Sequence, residues 1–188
     1  MNPKIAISLL AGAALTLVAT AASAQEATPE SSVPSGNYAR VNGLEIYYEV
    51  YGTGEPLVLL HGGLGGIWEF APLIPVLAQT RQVIAVELQG HGHTADIDRP
   101  LSFPALADDV AALIRHLGFA KADVLGYSFG GIVALTTAGR HPDVVNRLVV
   151  VSSPFARSGI HAEFQAGMAA MTGADVQAML ETPMYQYY

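Results

Sequence analysis

Asp123-Val124-Leu125-Gly126-Tyr127-Ser128-Phe129-Gly130-Gly131 is the stretch on which the reading of this chain depends. A short apolar run, typical of a strand buried on both faces, meets a glycine-punctuated turn. From Phe129 to Arg140 the pattern then becomes helical, and Pro142, just after His141, stops it. The turn has the spacing G-x-S-x-G, which places a serine where strand reverses sharply into helix. A backbone held in such a reversal is strained, and glycines two residues to either side omit the side chains that would collide with it. The reversal pushes the Ser128 hydroxyl out above the carboxyl edge of a sheet. It also puts the Phe129 amide at a helix N-terminus, where N–H groups and the helix dipole favour developing negative charge. The plainer alternative is a glycine-rich turn whose serine only caps a helix.

The same alternation continues on both sides of this stretch. Leu57–Leu60, Val83–Val86 and Leu148–Val151 are further apolar runs of strand length, continuous as strands covered on both faces are. Between them, Trp68–Ala78 and Phe103–Leu117 read as helices. The second is the clearer, with Ser102 as its cap, Leu106, Val110, Leu113, Ile114 and Leu117 at helical spacing, and Gly118 as its stop. Upstream, Tyr38–Val41 and Leu44–Tyr51 flank Asn42-Gly43, the dipeptide suited to a two-residue hairpin turn. Strands alternating with helices through short connections predict an α/β fold, a mostly parallel sheet sandwiched by helices. After Ser152-Ser153-Pro154 the alternation stops, and Phe155–Tyr188 is Met- and Ala-rich helical sequence.

Two further loops follow strand ends. His61-Gly62-Gly63-Leu64-Gly65-Gly66 comes directly after the first parallel strand. Such a turn lets a backbone N–H face a reacting carbonyl, with Gly63 the expected donor, Leu64 the reserve, and His61 a structural residue. A dinucleotide-binding loop fails on spacing, because Trp68 stands where its third glycine belongs. Gly90-His91-Gly92-His93-Thr94, with Asp96 and Asp98, hints at a metal, but the remaining histidines are isolated, so a surface turn is expected and no metal. Asp108-Asp109 is expected near the start of its helix, complementing the dipole.

Composition narrows the classes. The 188 residues are 51% hydrophobic and carry a net charge of −7 with scattered basic residues, which leaves no polycationic surface for nucleic acid. The absence of cysteine excludes disulfides, thiolate metal sites and a cysteine nucleophile. Lys4, the apolar run Ile5–Ala22 and Ala22-Ser23-Ala24 have the order of a secretory signal peptide cleaved after Ala24. An exported chain, periplasmic or secreted and with no stable membrane anchor after cleavage, is therefore expected. Residues 1–24 are set apart as signal, 25–37 as a flexible leader, 38–154 as the core and 155–188 as the start of a helical cap.

Taken together, the hairpin, the His-Gly-Gly loop, the Gly-His-Gly-His-Thr turn and Gly-Tyr-Ser-Phe-Gly-Gly resemble the α/β-hydrolase superfamily over nearly all of Tyr38–Pro154. The resemblance implies Ser128 as nucleophile, with Phe129 and Gly63 supplying the oxyanion amides. Members with aspartate at that place, such as epoxide hydrolases, form alkyl esters, so a serine implies acyl chemistry on a small-molecule, ester-like substrate without a cofactor. Glu87 stands where the family often has aspartate. The larger departure is downstream, where an acid and then a histidine should follow the serine. His141 belongs to a helix end on the far side of the sheet and His161 to the cap, and Ser152-Ser153-Pro154 fills one place where an acid is found. The expectation is a fold incomplete at its C-terminus, an inactive fragment whose acid and base lie beyond Tyr188. Phe155, Phe164, Met168, Met171, Met179 and Met184 would then face an apolar group, or else pack on the sheet. A non-catalytic binding protein, or a C–C hydrolase, peroxidase or aminopeptidase of the same superfamily, are the alternatives. Oligomeric state is not legible.

Overall fold

The computed structural model describes residues 36–182. The expected signal segment, most of the leader and Met184 lie outside them. Strand β1 (Asn37–Val41) starts at the last residue assigned to the leader and pairs antiparallel with β2 (Leu44–Tyr51). Asn42 and Gly43 take φ of 49° and 83°, the two positive values that a tight hairpin turn demands.

Next come β3 (Glu55–Leu60), β4 (Arg81–Val86), β5 (Ala122–Tyr127) and β6 (Val145–Val151). The six strands lie in the order β1-β2-β4-β3-β5-β6, with β2 antiparallel to β4 and the pairs β3–β4, β3–β5 and β5–β6 parallel. The mostly parallel α/β sheet read from the sequence is therefore present.

One helix departs from expectation. Instead of a continuous helix over 68–78 there is a 3-10 turn at Ile67–Phe70 and a single-turn helix α1 (Ile74–Leu77). Pro72 cannot donate to a carbonyl four residues back, so no α-helix runs through it. Ile67, Phe70 and Ile74 still pack with Leu57, Leu59, Val83 and Ala85 on one face of the sheet.

The other face is covered by α2 (Phe103–His116) and α3 (Phe129–Arg140), with Leu106, Val110, Leu113 and Ile114 packed against Val58, Leu60, Ile84 and Val124. Ser102 caps α2 by accepting the Ala105 amide. Asp108 and Asp109 are not dipole partners in the first turn, since they fall in the second turn of α2. There they tie elements together: Asp108 accepts Arg140 Nε and pairs with His141, and the buried Asp109 pairs with Arg99 and accepts Asn42 Nδ2.

Beyond β6 the chain is helical, as α4 (Ala162–Ala170) and α5 (Gly173–Leu180). The reading in which this segment's apolar side chains pack on the sheet is corrected, because Phe155, Phe164 and Met168 are 90%, 63% and 50% exposed. The sheet below is itself bare at that edge. Tyr127, Val149 and Val151 share one face and are exposed, since no helix among the described residues lies over them.

Candidate active site

Parallel β3, β4 and β5 all end at one edge, and the loops leaving them meet there. Ser128 follows β5 with φ 51° and ψ −113°, a left-handed backbone that side chains rarely adopt. Its amide donates to the Val151 carbonyl, and its own carbonyl accepts the Gly131 amide as α3 begins. The reversal is tight enough to exclude side chains on either side. A Cβ on Gly126 would stand 2.2 Å from the Gly130 carbonyl oxygen, and one on Gly130 would stand 2.2 Å from that of Leu60. Strand and helix therefore touch backbone to backbone, and this closeness holds Ser128 at the apex.

The loop after β3 is pinned one peptide at a time. His61 is fully buried, and its Nε2 accepts the Leu88 amide at 3.1 Å. Nδ1 therefore carries the proton, which it donates to the Gly62 carbonyl 2.7 Å away. Burial lowers the His61 pKa to about 4, the Gly62 bond opposing and nearby His91 adding slightly, so the ring is neutral at pH 7. The Gly62 carbonyl also accepts the Gly65 amide. In a trans peptide C=O and N–H point in opposite directions, so fixing the Gly62 oxygen aims the Gly63 N–H the other way.

The neighbouring amides are already engaged. Gly62 N–H donates to Glu69 Oε2 at 2.6 Å, and Leu64 N–H donates to His91 Nε2 at 3.3 Å. Leu64, the reserve donor, is thus occupied. Gly63 N–H has no acceptor among the described residues, and neither does the Phe129 N–H. A Cβ on Gly63 would lie 3.5 Å from Phe129 Cβ, so the two unengaged amides are neighbours. The Gly130 amide locks the two loops together by donating to the His61 carbonyl at 3.0 Å.

The Gly-His-Gly-His-Thr turn does more than mark the surface. His91 donates Nδ1–H to the Gln89 carbonyl, which leaves Nε2 free to hold Leu64. Buried Glu87 accepts the His93 backbone amide and Nδ1, and His93 stacks on Tyr47 at 4.3 Å. Thr94 bridges β2 and β4 by accepting the Tyr47 amide and donating to the Glu87 carbonyl. Beside this turn an open cavity of about 770 Å³ is lined by Leu64, Ile67, Trp68, Glu87 and His93, together with Val176 of α5. No three His, Asp or Glu among the described residues converge on a metal position.

Among the described residues no imidazole hydrogen-bonds Ser128. His141 sits at the opposite end of α3, about 18 Å along a helix rising 1.5 Å per residue, bonded to Asp108. His161 is exposed at the start of α4. The Ser128 hydroxyl has no hydrogen-bond partner among the described residues. Sequence reasoning missed two residues that shape the loop, Glu69 and His91. For Glu69 the one available signal was that it is the sole acid between Gly63 and β4.

Comparison with known proteins adds four findings. The family described as the alpha/beta hydrolase fold matches residues 55–180. The chain is 39% identical over 116 residues to a soluble epoxide hydrolase of a Corynebacterium sp., covering 60% of this chain and 40% of that enzyme. It is 44% identical, also over 116 residues, to a pimeloyl-(acyl-carrier protein) methyl ester esterase of Neisseria meningitidis serogroup B, covering 62% of this chain and 43% of that enzyme. Among solved structures, a meta-cleavage product hydrolase of Pseudomonas fluorescens superposes with a TM-score of 0.67 at 26% identity, covering 77% of this chain and 55% of that one. The chain thus spans about two fifths of the length of these curated relatives.

Proposed function

Because the chain belongs to the α/β-hydrolase family, we propose that the protein is a serine hydrolase acting on an ester-like carbonyl of a small molecule. In this reading Ser128 Oγ attacks the carbonyl carbon as its proton passes to a base. The carbonyl oxygen takes up the negative charge between the Gly63 and Phe129 amides. Collapse breaks the bond to the leaving alcohol, which departs with that proton, and water then attacks the acyl-enzyme to release the acid and restore the serine. The observation that carries the reading is the pair of adjacent, unengaged amides beside a serine held at positive φ. A serine in place of an aspartate favours acyl chemistry over the alkyl-ester chemistry of epoxide hydrolases.

The base and its carboxylate come from none of the described residues. The 188-residue chain by itself is therefore expected to turn over esters very slowly, on amide and binding contributions alone. The same reading takes residues 1–24 as an export signal, 25–37 as a leader whose last residue already opens β1, and 155–188 as the start of a cap over the site. A C–C bond hydrolase is the second reading, favoured by the likeness to the meta-cleavage product hydrolase.

The experiment is labelling with a fluorophosphonate and hydrolysis of p-nitrophenyl esters of graded chain length, with Ser128→Ala alongside. Slow labelling that maps to Ser128 and vanishes in the variant supports the reading. Labelling elsewhere, or ester turnover unchanged by Ser128→Ala, overturns it.

A further inference from the structure

We propose that Glu69 is the positioning residue of the Gly62–Gly65 loop, and that its carboxylate keeps the Gly63 amide aimed at Ser128. The inference rests on the serine-hydrolase reading for its consequence, though not for its geometry. Three consecutive peptides run from His61 to Leu64. The middle one carries the useful N–H, and its orientation is set from the Gly62 carbonyl by His61 and Gly65. The peptide before it is held at its carbonyl by the Gly130 amide at 3.0 Å and at its N–H by Glu69 Oε2 at 2.6 Å. The peptide after it is held by His91 at the longer distance of 3.3 Å.

A glycine loop has nothing intrinsic to keep these planes in register, because Gly62 and Gly63 visit most of backbone space freely. The bond from Glu69 is the shortest of the clamps on the flanking peptides and the one made by a carboxylate, which makes it the strongest. Its carboxylate is half-buried against the loop. Burial raises its pKa above the usual carboxylate range, while the Gly62 amide and His91 oppose that shift. A Cβ on Gly65 would collide with the Glu69 carboxyl at 2.5–2.7 Å, and one on Gly62 would stand 3.2 Å from Oε1. The glycines at 62 and 65 thus leave the room that the carboxylate occupies. Glu69 makes its hydrogen bond to Gly62 and none to Ser128, so it acts through the loop.

The test uses the full 188-residue chain with Glu69→Ala, Glu69→Gln and Gly65→Ala. Amide hydrogen exchange at Gly62 is read by NMR, and the rate of Ser128 labelling is read with the fluorophosphonate. A bond to a charged acceptor protects an amide strongly, so Glu69→Ala is expected to speed Gly62 exchange about 10- to 100-fold. It should slow Ser128 labelling by about tenfold, with the melting temperature little changed. Glu69→Gln, whose amide oxygen still accepts from Gly62, should restore both. Gly65→Ala should reproduce the loss with Glu69 intact, and it carries the test if Glu69→Ala does not fold. Unchanged Gly62 exchange in Glu69→Ala and Gly65→Ala overturns the proposal, as does a labelling rate that tracks only the melting temperature. If wild type is not labelled at Ser128 while Gly62 exchange responds as stated, the serine-hydrolase reading falls and Glu69's hold on the loop stands.

Discussion

His61 should give the folded protein an acid-sensitive stability whose size follows from its surroundings. The ring has no solvent exposure, accepts the Leu88 amide and donates to the Gly62 carbonyl, so the fold holds it neutral. Its pKa is lowered from 6.5 to about 4 by burial, partly offset by the Gly62 bond. Above pH 6.5 both folded and unfolded states carry neutral His61, and its contribution is fully present. As pH falls from 6.5 to 4 only the unfolded chain takes up the proton, and stability drops by about 1.4 kcal/mol per pH unit, ~3 kcal/mol in all. For a domain of this size that corresponds to roughly 6–12 °C in melting temperature. The assay is thermal and urea denaturation between pH 7.5 and 4 for wild type and for His61→Gln, whose amide can accept from Leu88 and donate to Gly62 without titrating. Carboxylates contribute to both proteins alike, so the difference in slope isolates His61. Parallel profiles across this window would refute the argument, since they would mean that His61 titrates in the folded state as it does in the unfolded one.

Two further outcomes follow from packing and from the sheet edge. Gly130→Ala puts a methyl group 2.2 Å from the Leu60 carbonyl oxygen and 2.5 Å from that of His61, both backbone atoms that cannot step aside. It should therefore cost about 1–3 kcal/mol in urea unfolding, whereas Gly139→Ala, with nothing within 4 Å, should cost none and gain a little helix propensity. Val149 and Val151 are 48% and 41% exposed on a face that the described residues leave bare, beside an edge of β6 that no described strand pairs, so the 188-residue chain should self-associate with rising concentration. Lysine at both positions should lower the association seen in sedimentation velocity without lowering the melting temperature, and an unchanged concentration dependence would contradict that account.

Features written in adjacent residues were legible before any fold was known. Asn42-Gly43 states a hairpin, Ser102 and Gly118 bracket a helix, and the five residues from Gly126 to Gly130 state a strand-to-helix reversal, because each depends on backbone preferences within one turn. The helix expected over 68–78 went wrong for a local reason too. Pro72 denies a helix through these residues a backbone donor. Asp108 and Asp109 lie one turn further into α2 than a dipole partner would, and their partners are on other elements.

The choice between Gly63 and Leu64 shows where sequence reading stops. Both are loop residues after the same strand, and nothing local says which amide is spent. His91, 27 residues further on, takes the Leu64 N–H, and Glu69 takes that of Gly62. By itself the sequence determined the α/β alternation, the sharp turn at Ser128 and the glycine-rich loop facing it, since local sterics and periodicity suffice for those. Tertiary structure alone decided which amides remain unengaged, that His61 is held neutral, and that His141 and His161 lie away from the serine. Those properties depend on groups distant in the chain meeting in space, and on the water that their meeting excludes.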